Sequence, residues 1–156
     1  MQNNDSQNLL SRLKQQFPSL EFRQDELFFW SPSEHTVHFA GLGTATDKKQ
    51  LIHEVGHALC GHRDYNRDID LLKREREAWE KAKDLAGSFD ITISTDFIEE
   101  ALESYRDWLH QRSLCPTCSQ VGIQETEHTY KCLLCSSQWR VNDARRCGLK
   151  RYKLTT

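Results

Sequence analysis

Apolar positions recur with helical spacing in four stretches of the chain and alternate locally in three others. Residues 6–16, SQNLLSRLKQQ, place Leu9, Leu10 and Leu13 on one side of a short amphipathic helix that Phe17-Pro18 ends. LEFRQ, ELFFWS and HTVHFA then follow as short aromatic or β-branched runs, which predict strands of a small, mostly antiparallel sheet. GLGTATDKK marks a loop, with Thr46 or Asp47 as the expected N-cap of the next helix. In that helix, within Leu51–His62, Ile52, Val55 and Leu59 fall at i, i+3 and i+7. A second long helix is expected over 68–86 and a third over 96–111, separated by GSFDITIST. Ile98, Ala101, Leu102, Tyr105, Trp108 and Leu109 give the third a broad apolar stripe. From Cys115 the chain changes to short runs between turns.

The Leu51–His62 segment also carries chemistry. It reads LIHEVGHALCGH, so His53 and His57 are four residues apart and Glu54 follows the first. On a helix, i and i+4 share a face, and two imidazoles there can reach one metal ion with the glutamate beside it. A catalytic zinc site needs three protein ligands and an open position for water. The second long helix offers Glu75 and Glu77. With about 100° per residue, Leu71, Leu72, Ala78, Trp79, Ala82 and Ala86 lie within about 60° of Glu75. Glu75 is therefore at the centre of the core-facing stripe, where a carboxylate is costly unless it is paired or binds metal. A buried Arg partner is the competing explanation. Glu77 falls among charged residues on the far side and reads as a solvated charge. His62 lacks the spacing of a third histidine ligand and reads as a helix C-terminal residue near the negative end of the dipole. Cys60 reads as a small buried apolar residue.

Composition refines the picture at two points. The chain has 156 residues, 37% hydrophobic and 28% charged, which suits one compact domain, or a small domain with a metal-stapled module. The net charge of −2 divides unevenly: residues 114–156 carry seven Lys/Arg against three Asp/Glu, and residues 1–113 carry fourteen against twenty. That split supports domains over 1–113 and 114–142, with a basic tail over 143–156. The first residues contain no charged segment followed by an apolar one, and no run reaches the length of a membrane span. A cytoplasmic protein without membrane contact is expected.

Four of the six cysteines form two Cys-x-x-Cys pairs, Cys115/Cys118 and Cys132/Cys135, thirteen residues apart. Four thiolates at this spacing describe a structural zinc ribbon, around which Tyr130, Trp139 and Val141 are expected to pack. Cys60 and Cys147 are left over. Two zinc ions are thus expected, one catalytic and one structural, although ligand type restricts the metal only loosely. The tail, with Arg145, Arg146, Lys150, Arg151, Tyr152 and Lys153, reads first as a solvated tail packing onto the preceding domain and is also compatible with weak nucleic-acid or protein contacts.

HEVGHALCGH, followed about twenty residues later by EREAW, resembles the ImmA/IrrE-type metallopeptidases over roughly residues 30–90. In that family the first glutamate of the second motif is the third ligand. The resemblance implies a zincin-like α+β fold, in which a small antiparallel sheet packs on the His-bearing helix and two further helices. It also implies His53, His57 and Glu75 as zinc ligands and Glu54 as the catalytic base. The sequence departs from the family in the polar Trp79-Glu80-Lys81-Ala82 and in the added ribbon; SprT-type proteins combine a similar motif with a ribbon but use a third histidine. The function expected is hydrolysis of protein or peptide substrates by a metal-activated water. His35–Phe39 is the strand expected to align substrate, and Tyr65, His62 and Tyr105 are the candidate second oxyanion donors. The other two readings are a catalytically silent zinc-binding regulatory module and a nucleic-acid-associated zinc-ribbon protein.

Overall fold

The computed structural model describes residues 2–145 and 148–155, with the backbone alone of Gln2 and Asn3. Arg146 and Cys147, part of the basic tail and one of the left-over cysteines in the sequence reading, lie outside the described residues. The fold is α+β, with four α-helices and two small sheets among the described residues. Contacts divide it into two units: residues up to Arg63 with Arg74–Ile98, and Asp64–Lys73 with Glu99 onward.

In the first unit, helix α1 (Gln2–Gln16) precedes strands β1 (Glu21–Gln24), β2 (Phe29–Ser31) and β3 (Thr36–Phe39) and helix α2 (Ala45–Leu59). The strands lie in the order β1-β3-β2, with β1 parallel and β2 antiparallel to β3. The sheet is thus mixed rather than the antiparallel one expected. β2 and β3 form a hairpin, and β1 takes the other edge of β3, where its direction matches. Local alternation identifies strands but carries no information on which edge a strand joins. β3 is therefore the central strand, not the edge anticipated for it, and all four of its residues are buried. His38 on β3 lies with both ring nitrogens 3.0 Å from a carboxylate, of Asp25 and of Glu34, and stacks on Phe29.

Helix α2 lies against β2 and β3. Thr44, not Thr46 or Asp47, is its N-cap: the Thr44 hydroxyl accepts from the Asp47 N–H, and Asp47 at N3 accepts from the Thr44 N–H. This reciprocal box satisfies two of the amides a helix start leaves unpaired. Leu51, Ile52 and Val55 are fully buried, as are Leu13 of α1 and Val37 of β3, each contributing about 1.5–3 kcal/mol of transfer free energy. Leu59, expected in the same stripe, is exposed because it sits in the last turn. Helix α3 (Asp68–Ala86) and helix α4 (Thr95–Ser113) follow, with a 3-10 turn at Gly87–Phe89 between them. Both helices match the spans predicted from periodicity to within two residues.

The second unit contains strands β4 (Ile123–Thr126), β5 (Thr129–Lys131), β6 (Gln138–Val141) and β7 (Arg151–Leu154), antiparallel in that order. Residues 151–154, read from sequence as tail, thus extend the sheet. Tyr130 and Trp139 stack at 5.7 Å and are buried with Cys115, Cys132 and Val141. The Trp139 indole N–H donates to the Arg112 carbonyl at 2.9 Å, and the Tyr130 hydroxyl donates to Asp68. A second cluster gathers Leu71, Trp108 and Leu109, with Tyr65 and Tyr105 packed against it. Among the described residues, no helix is long and apolar enough to cross a membrane.

Candidate metal centres

Two groups of side chains among the described residues could hold a metal ion, His53/His57/Glu75 and Cys115/Cys118/Cys132/Cys135. In the first, His53 Nε2 lies 3.0 Å from Glu75 Oε2 and 3.1 Å from His57 Nε2, which is itself 3.1 Å from Glu75 Oε1. Tetrahedral ligands at about 2.0–2.1 Å from zinc stand about 3.3–3.4 Å apart, so these separations, made through both Glu75 oxygens, fall a few tenths of an ångström short of such a shell. Helix geometry produces the arrangement. His53 and His57 occupy one face of α2, and Glu75 sits in the buried stripe of α3 with Leu71, Ala78, Trp79, Ala82 and Ala86.

The two helices can approach this closely because Gly56 has no side chain. A Cβ there would stand 2.4 Å from the Ala78 carbonyl oxygen, and that oxygen is backbone. Gly56→Ala is expected to destabilise the protein by about 1–3 kcal/mol through overpacking. It should also push α2 off α3 and weaken metal uptake at Glu75. Denaturant unfolding beside zinc titration checks both effects, and wild-type values in both would refute this account of Gly56.

Glu75 is 5% exposed. Burial pushes its pKa upward, but the two imidazoles outweigh that and hold it well below the ordinary carboxylate range. His57 responds in the opposite sense. Burial disfavours its charge, yet hydrogen bonding and attraction from Glu75, with a smaller contribution from Glu54, raise its pKa. An ionised carboxylate cannot donate, so each imidazole nitrogen facing Glu75 either carries a proton or ligates a metal ion. In the metal-free chain a proton serves, and a metal ion entering the site displaces it. The residues therefore fit a divalent ion. Trp79 stacks on His53 at 4.0 Å, and Phe97 meets Trp79 edge-on. His53 Nδ1, on the side away from Glu75, is buried without a hydrogen-bond partner.

Glu54 is 6% exposed, and its Oε1 accepts from the Gln50 amide at 3.2 Å, one helical turn upstream. His62 and Glu77, set aside in the sequence reading, both reach the site. His57 Nδ1 lies 2.9 Å from His62 Nδ1, and His62 Nε2 lies 2.9 Å from Glu77 Oε2. Glu77 is thus half-buried and partnered rather than freely solvated. Burial and the neighbouring His57 charge pull the His62 pKa down against the pull of Glu77, which favours its neutral form. Cys60, expected to be buried, is exposed at the helix end, with its Sγ 4.0 Å from the Glu77 carbonyl. Of the three oxyanion donors considered, His62 is engaged by His57 and Glu77, while Tyr65 and Tyr105 belong to the second unit.

The cysteine group is built from two matching turns. Cys115 N–H donates to the Gln120 carbonyl and Ser119 N–H to the Cys115 carbonyl; Cys132 and Ser137, and Ser136 and Cys132, repeat both bonds. Ser119 and Ser136 occupy the left-handed region at φ 63° and 62°. For L-residues that costs about 1–2 kcal/mol, so each turn must be held by its surroundings. Across the turns, Cys115 Sγ stands 3.6 Å from Cys135 Sγ, and Cys118 Sγ 3.5 Å from Cys132 Sγ. A disulfide needs about 2.05 Å. Thiolates about 2.3 Å from a tetrahedral ion stand about 3.8 Å apart. The observed separations match ligation and not bonding. The Cys135 thiol is pulled down to about 6, chiefly by hydrogen bonds from Ser137, so that it ionises readily.

Comparison with protein-family profiles, with curated proteins and with solved structures gave no match for this chain.

Proposed function

We propose that this chain is a zinc-dependent metallopeptidase with a zincin-like core and a structural zinc ribbon. The observation that carries the reading is the convergence of His53, His57 and Glu75 ligand atoms at 3.0–3.1 Å, with Glu54 next to His53 on the same helix. The resemblance of HEVGHALCGH and EREAW to ImmA/IrrE-type metallopeptidases supports it, and so does the buried carboxylate of Glu75. His53, His57 and Glu75 hold the catalytic zinc, and the four paired cysteines hold the second. Bound zinc supplies Lewis acidity, lowering the pKa of water towards about 7 and polarising a carbonyl oxygen.

Glu54 acts as general base. It takes a proton from the attacking water and returns it to the leaving amine nitrogen. The Gln50 amide donates to Oε1 at 3.2 Å and steadies the carboxylate. β2 is an edge strand lying against α2, so its outer side takes the role first assigned to His35–Phe39. An extended peptide there gains backbone hydrogen bonds along Phe29–Ser31. A reducing compartment such as the cytoplasm suits paired thiols that serve as metal ligands.

The test is cleavage of a mixed peptide library, read by mass spectrometry. Cleavage is expected with zinc, is expected to disappear after chelation, and should return when one equivalent is restored to the histidine site. Absence of any cleavage by zinc-loaded protein would leave the silent zinc-binding module as the better reading.

A further inference from the structure

We infer that His62 and Glu77 are positioning residues that fix His57 as an Nε2 metal ligand and set the affinity of the His53/His57/Glu75 centre. The inference rests on reading that centre as a metal site. It begins with how α2 ends. Cys60 is the C-cap, and Gly61 follows in the left-handed region at φ +67°. Gly61 N–H then donates to the Ala58 carbonyl and His62 N–H to the His57 carbonyl, both at 3.1 Å. This is the Schellman arrangement, in which residue C″ folds back over residue C3 and their side chains meet. The contact is ordinarily hydrophobic. Here C3 is the ligand His57 and C″ is His62, so two imidazoles meet at 2.9 Å instead. The Trp30 indole N–H donates to the His62 carbonyl at 3.0 Å and pins the turn.

The protons along this chain of contacts have one consistent order. Glu77 as a carboxylate can only accept, so His62 donates from Nε2 across 2.9 Å. His62 Nδ1 is then an acceptor, and His57 Nδ1 must donate to it. With Nδ1–H committed to His62, the proton that His57 Nε2 shares with Glu75 is the one a metal ion displaces, and the freed Nε2 lone pair is then directed at the centre shared with His53 and Glu75. The reverse order would make Nε2–H the only proton of a neutral His57 and oppose metal entry. Outer partners of this kind orient ligating histidines, and removing them typically weakens metal binding by about 10–100-fold. The effect is concentrated on one ligand, because His53 Nδ1 is buried with no partner.

The test is zinc affinity of the full chain, measured by competition with a chromophoric chelator. Wild type should take up two zinc ions, with the cysteine site serving as an internal reference. His62→Leu is expected to raise the dissociation constant at the histidine site by about 10–100-fold. The cysteine site should not change. His62→Asn places an amide oxygen near the Nδ1 position and should recover most of the loss, which a purely structural role for His62 would not allow. Glu77→Ala changes a side chain that is 44% exposed, and it should weaken the same site by a smaller factor. A wild-type constant in His62→Leu, or equal losses in the Leu and Asn variants, overturns the relay while leaving the metal site in place. If His62→Leu fails to fold, Glu77→Ala decides, and an unchanged constant there overturns it. Uptake of a single zinc by wild type, confined to the cysteines, removes the metal site and the relay together.

Discussion

Glu54→Gln is expected to lower peptide hydrolysis by about 10²–10⁴-fold, the usual contribution of a general base. Zinc content should stay at the wild-type value. The substitution keeps the side chain's size and its ability to accept from Gln50, and removes only the capacity to take up a proton. It therefore separates chemistry from folding. Glu54 is buried beside His53 but does not belong to the ligand group, so its loss leaves the three ligand atoms in place. Rate and metal content measured on one preparation settle the matter. Equal rates in the two proteins would show that Glu54 is not the base, and a parallel loss of zinc would assign it a structural part.

The second large effect is expected at the cysteines. Cys115→Ser should lose one zinc equivalent and the protection of the β4–β7 sheet, because apparent zinc-binding energies of about 10–16 kcal/mol normally fold such segments. Besides the site, the sheet is held by a small core and by the bonds of Trp139 to Arg112 and Tyr130 to Asp68. Its core comprises Cys115, Tyr130, Cys132, Trp139 and Val141, and two of those five are ligands themselves. Loss of Cys115 also leaves two positive-φ serines in turns held by their backbone hydrogen bonds without the site. Hydrogen exchange at Tyr130, Lys131 and Trp139 reports the sheet directly, and elemental analysis reports the ion. His53→Ala should remove the other equivalent and leave those amides protected. Slow exchange in Cys115→Ser would mean that the sheet folds without its metal.

Local periodicity made much of the chain legible. The span Asp68–Ala86 follows from its apolar stripe, and the same stripe singled out Glu75 against Glu77 two residues away. The cysteine spacing likewise anticipated which residues would surround the knuckles. What escaped was non-local. The direction of β1 depends on which edge of β3 it joins, and the strand at 151–154 depends on pairing with β6. Neither is encoded in a short window. The N-cap was misplaced by two residues because Thr46 resembles Thr44, and only the reciprocal bond with Asp47 tells them apart. Read one at a time, His62 is a helix end or an oxyanion donor and Glu77 a surface charge. The signal that would have found them is a ligand histidine at C3, glycine at C′ and histidine at C″, a capping pattern rather than a ligand spacing.

The paired knuckles also bear on how fast the chain matures. Loops of about ten residues close in about 10–100 ns. The two turns can therefore form and dissolve many times before an ion arrives. Even at a diffusion-limited rate of about 10⁹ M⁻¹s⁻¹, arrival of an ion is proportional to its concentration and slow when the ion is dilute. If the four cysteines take zinc, maturation of the β4–β7 sheet is a bimolecular event whose rate follows zinc supply.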